Sequence, residues 1–156
     1  MTGVQTCALP ILFIELGIGD SKGFRIQDGS GLSRQNLISP EALCRFLYAM
    51  TDSPAFEPFL ASLPSPGFAG TLEYNMKGQP VALRSRIKVK SGSMTGVRCY
   101  SGYILPSETS ASGSVEIKEL PEGALIISIM TNNCTSPTWK VRPLLDRLMV
   151  ALAKTN

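Results

Sequence analysis

The sequence predicts an α+β domain, an antiparallel sheet covered by helices, with one helix closing the chain. Three observations carry this. Apolar residues after Ser39-Pro40-Glu41 recur at a helical period, residues 86–105 alternate as two strands about a tight turn, and residues 136–154 carry one apolar stripe. At 156 residues the chain has room for one domain with a real core. No apolar run approaches the ~20 residues of a membrane-crossing helix.

Along the chain, Leu12–Leu16 reads as a last helical turn closed by Gly17 and Phe24–Gln27 as a short strand. Asp28–Asn36 is a polar, glycine-rich loop. Ser39 is a natural N-cap, Pro40 suits the first helical position and Glu41 suits the first turn, so Leu43, Phe46, Leu47 and Met50 lie on a helix over 40–50. A second short helix over Ala55–Leu63 is expected to be interrupted by Pro58. After a turn over Leu63–Gly70, Thr71 is expected to cap a short helix through Met76. Arg86–Ser93 and Val97–Leu105 form a hairpin about Met94-Thr95-Gly96, and Ser107–Ser114 is a loop. Val115–Glu119 and Ala124–Thr131 read as strands, the second so apolar that it is expected to be central and covered on both faces. The closing helix over Ser136–Lys154 is expected to bury Leu144, Leu145, Leu148, Met149 and Leu152. No internal repeat or domain linker stands out.

Composition excludes more than it assigns. A net charge of +3, from 15 basic and 12 acidic residues, is too mild for a nucleic-acid binder. The chain has no histidine, so no Ser-His-Asp triad, Cys-His dyad or histidine-ligated metal is built from it. Any proton transfer then falls first to lysine, whose pKa burial can lower. Cys7, Cys44, Cys99 and Cys134 show neither metal nor disulfide spacing and read as isolated thiols. No cofactor and no metal are expected.

Residues 1–11, MTGVQTCALPI, lack the basic start and long apolar stretch of a signal peptide. They match the in-frame translation of a common sequencing adapter. They are expected to be an artefactual tail with few core contacts, leaving 12–156 as the natural sequence, with upstream sequence lost.

Two segments carry chemistry: Lys90-Ser91-Gly92-Ser93 at the end of an alternating strand, and Asp28-Gly29-Ser30-Gly31-Leu32-Ser33-Arg34-Gln35-Asn36. Each alone is a weak signal. The ordered set is specific: DGSGLSRxN, a Ser-Pro helix start, LPSPGFAGTL at Leu63–Leu72, KSG, SGYI at Ser101–Ile104, an apolar strand ending near Asn132-Asn133, and a terminal helix. That set resembles the low-molecular-mass class C penicillin-binding proteins, serine D-alanyl-D-alanine carboxypeptidases and endopeptidases.

The resemblance implies the C-terminal part of a penicillin-binding transpeptidase-like (β-lactamase-like) domain. It implies peptidoglycan stem peptides ending in D-Ala-D-Ala as substrate, β-lactam antibiotics as ligands of the complete enzyme, and a cell-envelope or periplasmic location. Lys90 would supply positive charge beside the proton-transfer network, and the Ser91 hydroxyl would bind the substrate carboxylate. Gly92 would admit the substrate backbone, and the Ser93 N–H would line the oxyanion hole. Ser33, Arg34 and Thr95 would bind substrate, Arg34 through a carboxylate. The family's S-x-x-K nucleophile and S-x-N motif are not found. Ser85-Arg86-Ile87-Lys88 has the first spacing but sits on the strand leading into KSG, and Ser33-Arg34-Gln35-Asn36 is one residue too long for the second. The nucleophile is therefore expected upstream, and this chain alone is expected to be inactive.

Alternatives remain at this stage: a fragment related to serine β-lactamases, or a non-catalytic wall-peptide-binding module. Lys90 also reads as an edge-strand lysine, Ser91-Gly92 as turn chemistry, Ser33 as a loop-shaping residue and Arg34 as a surface charge. Tyr103 reads as core, and Asn132-Asn133 as a strand end. Strict alternation puts Lys90 and Ser91 on opposite faces, so both serve one ligand only along a free strand edge.

Overall fold

The computed structural model describes residues 24–68, 70–108 and 117–156. The helical turn at 12–16, the adapter-like 1–11 and most of the serine-rich loop lie outside these. Strands β1 (Phe24–Arg25) and β2 (Leu37–Ile38) pair antiparallel as a small ribbon. Helix α1 (Pro40–Met50) follows, with Ser39 Oγ accepting the Ala42 N–H at 3.1 Å and Pro40 in the first turn, as the sequence predicts.

Helix α2 (Phe56–Ser62) is not interrupted by Pro58. The proline falls at the third helical position, where its missing N–H would have had no intrahelical partner. Thr71 does not open a helix through Met76. A single 3-10 turn spans Gly70–Leu72, and Met76 takes a positive φ of 53°. The short helix α3 (Val81–Ser85) was not expected, and it moves the strand start from Arg86 to Ile87.

Strands β3 (Ile87–Met94), β4 (Val97–Ile104) and β5 (Leu125–Thr131) form one antiparallel sheet in the order β3-β4-β5. The hairpin turns at Thr95-Gly96, with Gly96 at φ 74°. Among the described residues the central place goes to β4 and not, as expected, to β5, which lies at the end of the order with its residues mostly half-buried. Residues 117–119, the described part of the expected strand 115–119, are not strand.

The pleat divides the sheet into two faces. Ile87, Val89, Tyr100, Ile104 and Ile127 face the closing helix α4 (Thr138–Thr155), which buries Val141, Leu145, Met149 and Ala153 against them. That i, i+4 row differs from the expected stripe: Leu144 and Leu148 are exposed. On the opposite face Tyr103 meets Leu47, Phe56, Leu60 and Leu63. Its hydroxyl donates to Leu47 O at 2.7 Å and its ring stands edge-on to Phe56 at 5.7 Å, so Tyr103 is core as expected.

Gly102, between the two tyrosine rows, has φ 153°, and a Cβ there would lie 2.1 Å from Lys88 O. Only glycine lets β3 and β4 approach this closely. Arg86 is buried where β3 begins. Its guanidinium donates to Leu105 O at 2.9 Å, to Asn156 O at 3.2 Å and to Ala153 O. Leu105 N–H donates back to Arg86 O at 2.9 Å.

Replacing Arg86 with Met should lower stability by about 2–4 kcal/mol, because three carbonyls lose their donor in a buried setting. Arg86→Lys should recover only part, since one ammonium cannot fork across the same acceptors. Urea unfolding of the three chains measures this; a loss within experimental error for Arg86→Met would remove Arg86 from this role.

Candidate functional site

Of the sequence-selected residues, Lys90, Ser91, Gly92 and Ser93 lie along the open edge of β3. Val89 N–H donates to Pro64 O at 3.1 Å, away from β4. Backbone groups alternate in direction along a strand, so those of Ser91 and Ser93 also point away from β4. The Leu63–Leu72 segment thus closes the first half of the edge and leaves the second half open. Among the described residues no strand pairs there.

At the boundary stands Thr71, whose Oγ1 accepts the Ser91 hydroxyl at 3.1 Å. The exposed Lys90 ammonium donates to Ser91 O at 2.7 Å. Lys90 and Ser91 lie on opposite faces, as alternation requires, yet both reach this edge. Sequence reasoning missed Thr71 as a neighbour of Ser91; only the docking of its segment, 20 residues away in sequence, brings the hydroxyls together.

That docking has a visible cause. Gly67 N–H donates to Leu72 O at 2.9 Å, and Arg84 Nη1 donates to Pro66 O at 3.0 Å. Gly67 has φ 75°, and a Cβ would lie 1.9 Å from Arg84 Nη1. The bare backbone of the PSPG stretch is what the guanidinium packs on.

Gly92 faces Cys99 across the ladder, and a Cβ on it would lie 2.5 Å from Cys99 Sγ. The Cys99 thiol is raised in pKa by burial, a packed group rather than a ready thiolate. Lys88 shares the face of Lys90 and is half-buried, which pulls its pKa down. Ser85, three residues earlier, ends α3 and donates to Ala82 O at 3.1 Å. Ser93 and Thr95 are exposed at the hairpin end.

Ser33 and Arg34 lie in the loop between β1 and β2. Asn36 closes that loop: its Oδ1 accepts Gln27 N–H at 2.7 Å and Asp28 N–H at 3.2 Å, while its Nδ2 donates to Asp28 Oδ1 at 3.0 Å. The bond from Asn36 holds the partly buried Asp28 carboxyl below its ordinary pKa. Ser30 N–H and Oγ both donate to Asp28 Oδ1 at 3.1 Å, and Ser33 Oγ accepts Gln35 N–H at 3.2 Å. Ser33 thus shapes the turn that carries the exposed Arg34. No hydrogen bond or ion pair joins Ser33 or Arg34 to the described residues of β3.

A buried polar group that sequence reasoning did not pick out lies behind the strand. Asn75 Nδ2 donates to Tyr100 Oη at 2.9 Å and to Asp146 Oδ1 at 3.0 Å, and Arg98 reaches Tyr100 Oη at 3.4 Å. Asp146 is raised in pKa by burial, against the opposing pull of Asn75, Arg142, Tyr100 and Arg98. The group ties the 3-10 segment to β4 and α4. Among the described residues no three potential metal ligands stand together.

A model of the D-Ala-D-Ala carboxypeptidase 3 (S13) family matches residues 9–150. The chain is 34% identical over 127 residues to a D-alanyl-D-alanine carboxypeptidase of Actinomadura sp. (strain R39), covering 78% of this chain and 21% of that protein. It is 29% identical over 130 residues to a penicillin-sensitive carboxypeptidase A of Dictyostelium discoideum, covering 81% and 23%. The chain thus spans less than a quarter of these relatives' length. Penicillin binding protein 4 from Haemophilus influenzae shares the fold at TM-score 0.68 and 20% identity, over 94% of this chain and 30% of that one. The same protein complexed with a novel β-lactam gives 0.64 and 19%, over 95% and 32%.

Gly92→Ala should destabilise the chain by about 1–3 kcal/mol through overpacking, and Cys99→Ala in the same chain should recover most of that. Additive losses in a double-mutant cycle would show that the two do not meet. Asp146 supplies a pH test. Its folded pKa lies above the ordinary 3.8, so folding favours the protonated acid. Its contribution to stability is then full below that ordinary value and declines as pH rises through the folded one. Asp146→Asn should remove this decline, so urea midpoints of variant minus parent should rise from pH 3 to 7. A flat difference would contradict the shift.

Proposed function

The chain belongs to the D-Ala-D-Ala carboxypeptidase 3 (S13) family, and from that premise we propose that the open half of the β3 edge is one wall of an acyl-transfer cleft for peptides ending in D-Ala-D-Ala. The observation that carries this is the edge itself. The Lys90 ammonium, the Ser91 hydroxyl and the outward backbone of Ser93 lie within four positions along a strand edge that no strand pairs with among the described residues and whose first half is closed at Pro64.

A substrate peptide lying along that edge adds as a short strand and exchanges main-chain hydrogen bonds with Ser91 and Ser93. Its terminal carboxylate meets Lys90 and the Ser91 hydroxyl. The Ser93 N–H points to where a tetrahedral oxyanion would develop. Ser33 presents Arg34 for an acidic group of the stem peptide, and Thr95 lies at the hairpin end of the cleft. The chemistry is serine acyl transfer: a serine attacks the penultimate carbonyl, D-Ala leaves, and water hydrolyses the ester.

In this reading the serine and its lysine base belong to sequence outside this chain, and residues 12–156 are the C-terminal part of a larger catalytic domain. The share of the relatives that the chain spans supports that. β-Lactams, which carry a carboxylate and a strained amide, would enter the same cleft in the complete enzyme. A cell-envelope location follows from the substrate.

Titration of ¹⁵N-labelled chain with an N-acylated peptide ending in D-Ala-D-Ala tests the wall. Amide shifts should centre on Ser91–Thr95, vanish when the peptide carboxyl is amidated, and weaken about tenfold or more in Lys90→Ala. Shifts elsewhere, or none, would reject the assignment. A fluorescent penicillin should leave no covalent band on this chain; a stoichiometric band would mean that Ser33, Ser91 or Ser93 is itself a nucleophile. In the complete enzyme, Lys90→Ala should cut kcat/KM by on the order of a hundredfold while leaving the urea midpoint unchanged, because it removes charge and no core volume.

A further inference from the structure

Thr71 meets the proposed cleft through its hydroxyl, and the residues that follow it fix its place. Leu72 is fully buried, and its carbonyl accepts the N–H groups of Gly67 and Asn75, each at 2.9 Å. The buried Asn75 side chain donates to Tyr100 Oη at 2.9 Å and to Asp146 Oδ1 at 3.0 Å. A β-branched side chain on a backbone pinned this way has few rotamers open to it. Thr71 itself stays exposed, with its Oγ1 3.1 Å from Ser91 Oγ.

Ser91 shares the face of Tyr100, its partner across the ladder, while Lys90 lies on the other face. Thr71 therefore reaches Ser91 from the α4 side, behind the edge along which the peptide lies in the cleft reading.

A serine hydroxyl carries one proton. With no ligand, Ser91 donates it to Thr71. A carboxylate only accepts, so it needs that proton for itself. Ser91 then turns its O–H outward, and its oxygen is left facing Thr71. A threonine hydroxyl can answer this, because it donates as well as accepts. Turning about its C–O bond, it gives its own proton to Ser91. The two hydroxyls then point one way, from Thr71 to Ser91 to carboxylate, and each bond polarises the next.

We propose that Thr71 is a positioning residue for the substrate carboxylate: its hydroxyl reverses direction on binding and holds Ser91 as the donor. This rests on the cleft reading and adds to it a residue outside the Lys90-Ser91-Gly92-Ser93 run. Thr71 acts through Ser91 and does not touch the peptide.

The test uses the whole 156-residue chain and an N-acylated peptide ending in D-Ala-D-Ala. Thr71→Val keeps the shape and removes the hydroxyl. It should raise the peptide dissociation constant by about threefold to tenfold, the range for one neutral hydrogen bond. Thr71→Ser should restore the parent value. Hydrogen exchange at Val89, whose N–H is bonded to Pro64 O, reports whether the segment is still docked, and its protection should be equal in all three chains. Should Thr71→Val not fold, Thr71→Ala takes its place. A variant that binds as the parent does overturns the role of Thr71 and leaves the cleft standing. Weaker binding that comes with lost Val89 protection also overturns it, since Thr71 then only fastens the segment. Weaker binding that Thr71→Ser does not restore counts against it in the same way. Absence of binding to the parent chain removes the cleft and this inference together.

Discussion

The Arg86 guanidinium is buried where α3 ends, β3 begins, β4 finishes and α4 terminates, and it donates to a carbonyl of β4's exit and to two at the end of α4. No side-chain carboxylate is within salt-bridge distance among the described residues. The charge is met instead by backbone oxygens, two of them at the negative end of a helix. A buried cation satisfied in this way holds its neighbours in one arrangement, because any shift strands either the charge or the carbonyls. The packing of α4 on the sheet and the starting register of the β3–β4 hairpin both depend on it.

Once that register is set, the pleat distributes everything else. Tyr100 goes to the α4 face and Tyr103 to the α1 and α2 face, each with its hydroxyl partnered. Gly102 lets the two strands close up, and Gly92 makes room for Cys99. Lys88 and Lys90 share one face but differ in depth: the first is half-buried, the second is at the surface with its ammonium folded over the edge. The same alternation directs the backbone of Ser91 and Ser93 outward, so side-chain and main-chain groups converge on a line rather than in a pit. A line is the shape that suits an extended peptide.

The two sheet edges are treated in opposite ways. The PSPG segment covers the front of β3, held by Arg84, and Thr71 sits where the cover stops. β5 carries no such cover among the described residues. An edge partly closed and charged suits a short ligand strand; an edge open and apolar suits a permanent neighbour.

Local chemistry was legible in the residues themselves. Ser39-Pro40-Glu41 determined where α1 starts, because a cap, a fixed φ and a first-turn acid act within one helical turn. Alternation with Thr95-Gly96 determined the hairpin, and the ordered motifs pointed to the family. The α3 helix was not legible, since five residues carry too little periodicity. Neither was the outer place of β5 among the described strands: apolarity on both faces reports burial by helices as readily as a central place in a sheet. Leu144 and Leu148 satisfied the helical stripe, yet the tertiary structure chose Val141, Leu145, Met149 and Ala153, a row rotated slightly about the axis. The sequence by itself picked out the residues proposed for the chemistry. Only the tertiary structure decided that Thr71 meets Ser91 and that Pro64 closes half of β3. Those are contacts between segments 20 or more residues apart, where no local pattern records which surfaces will meet.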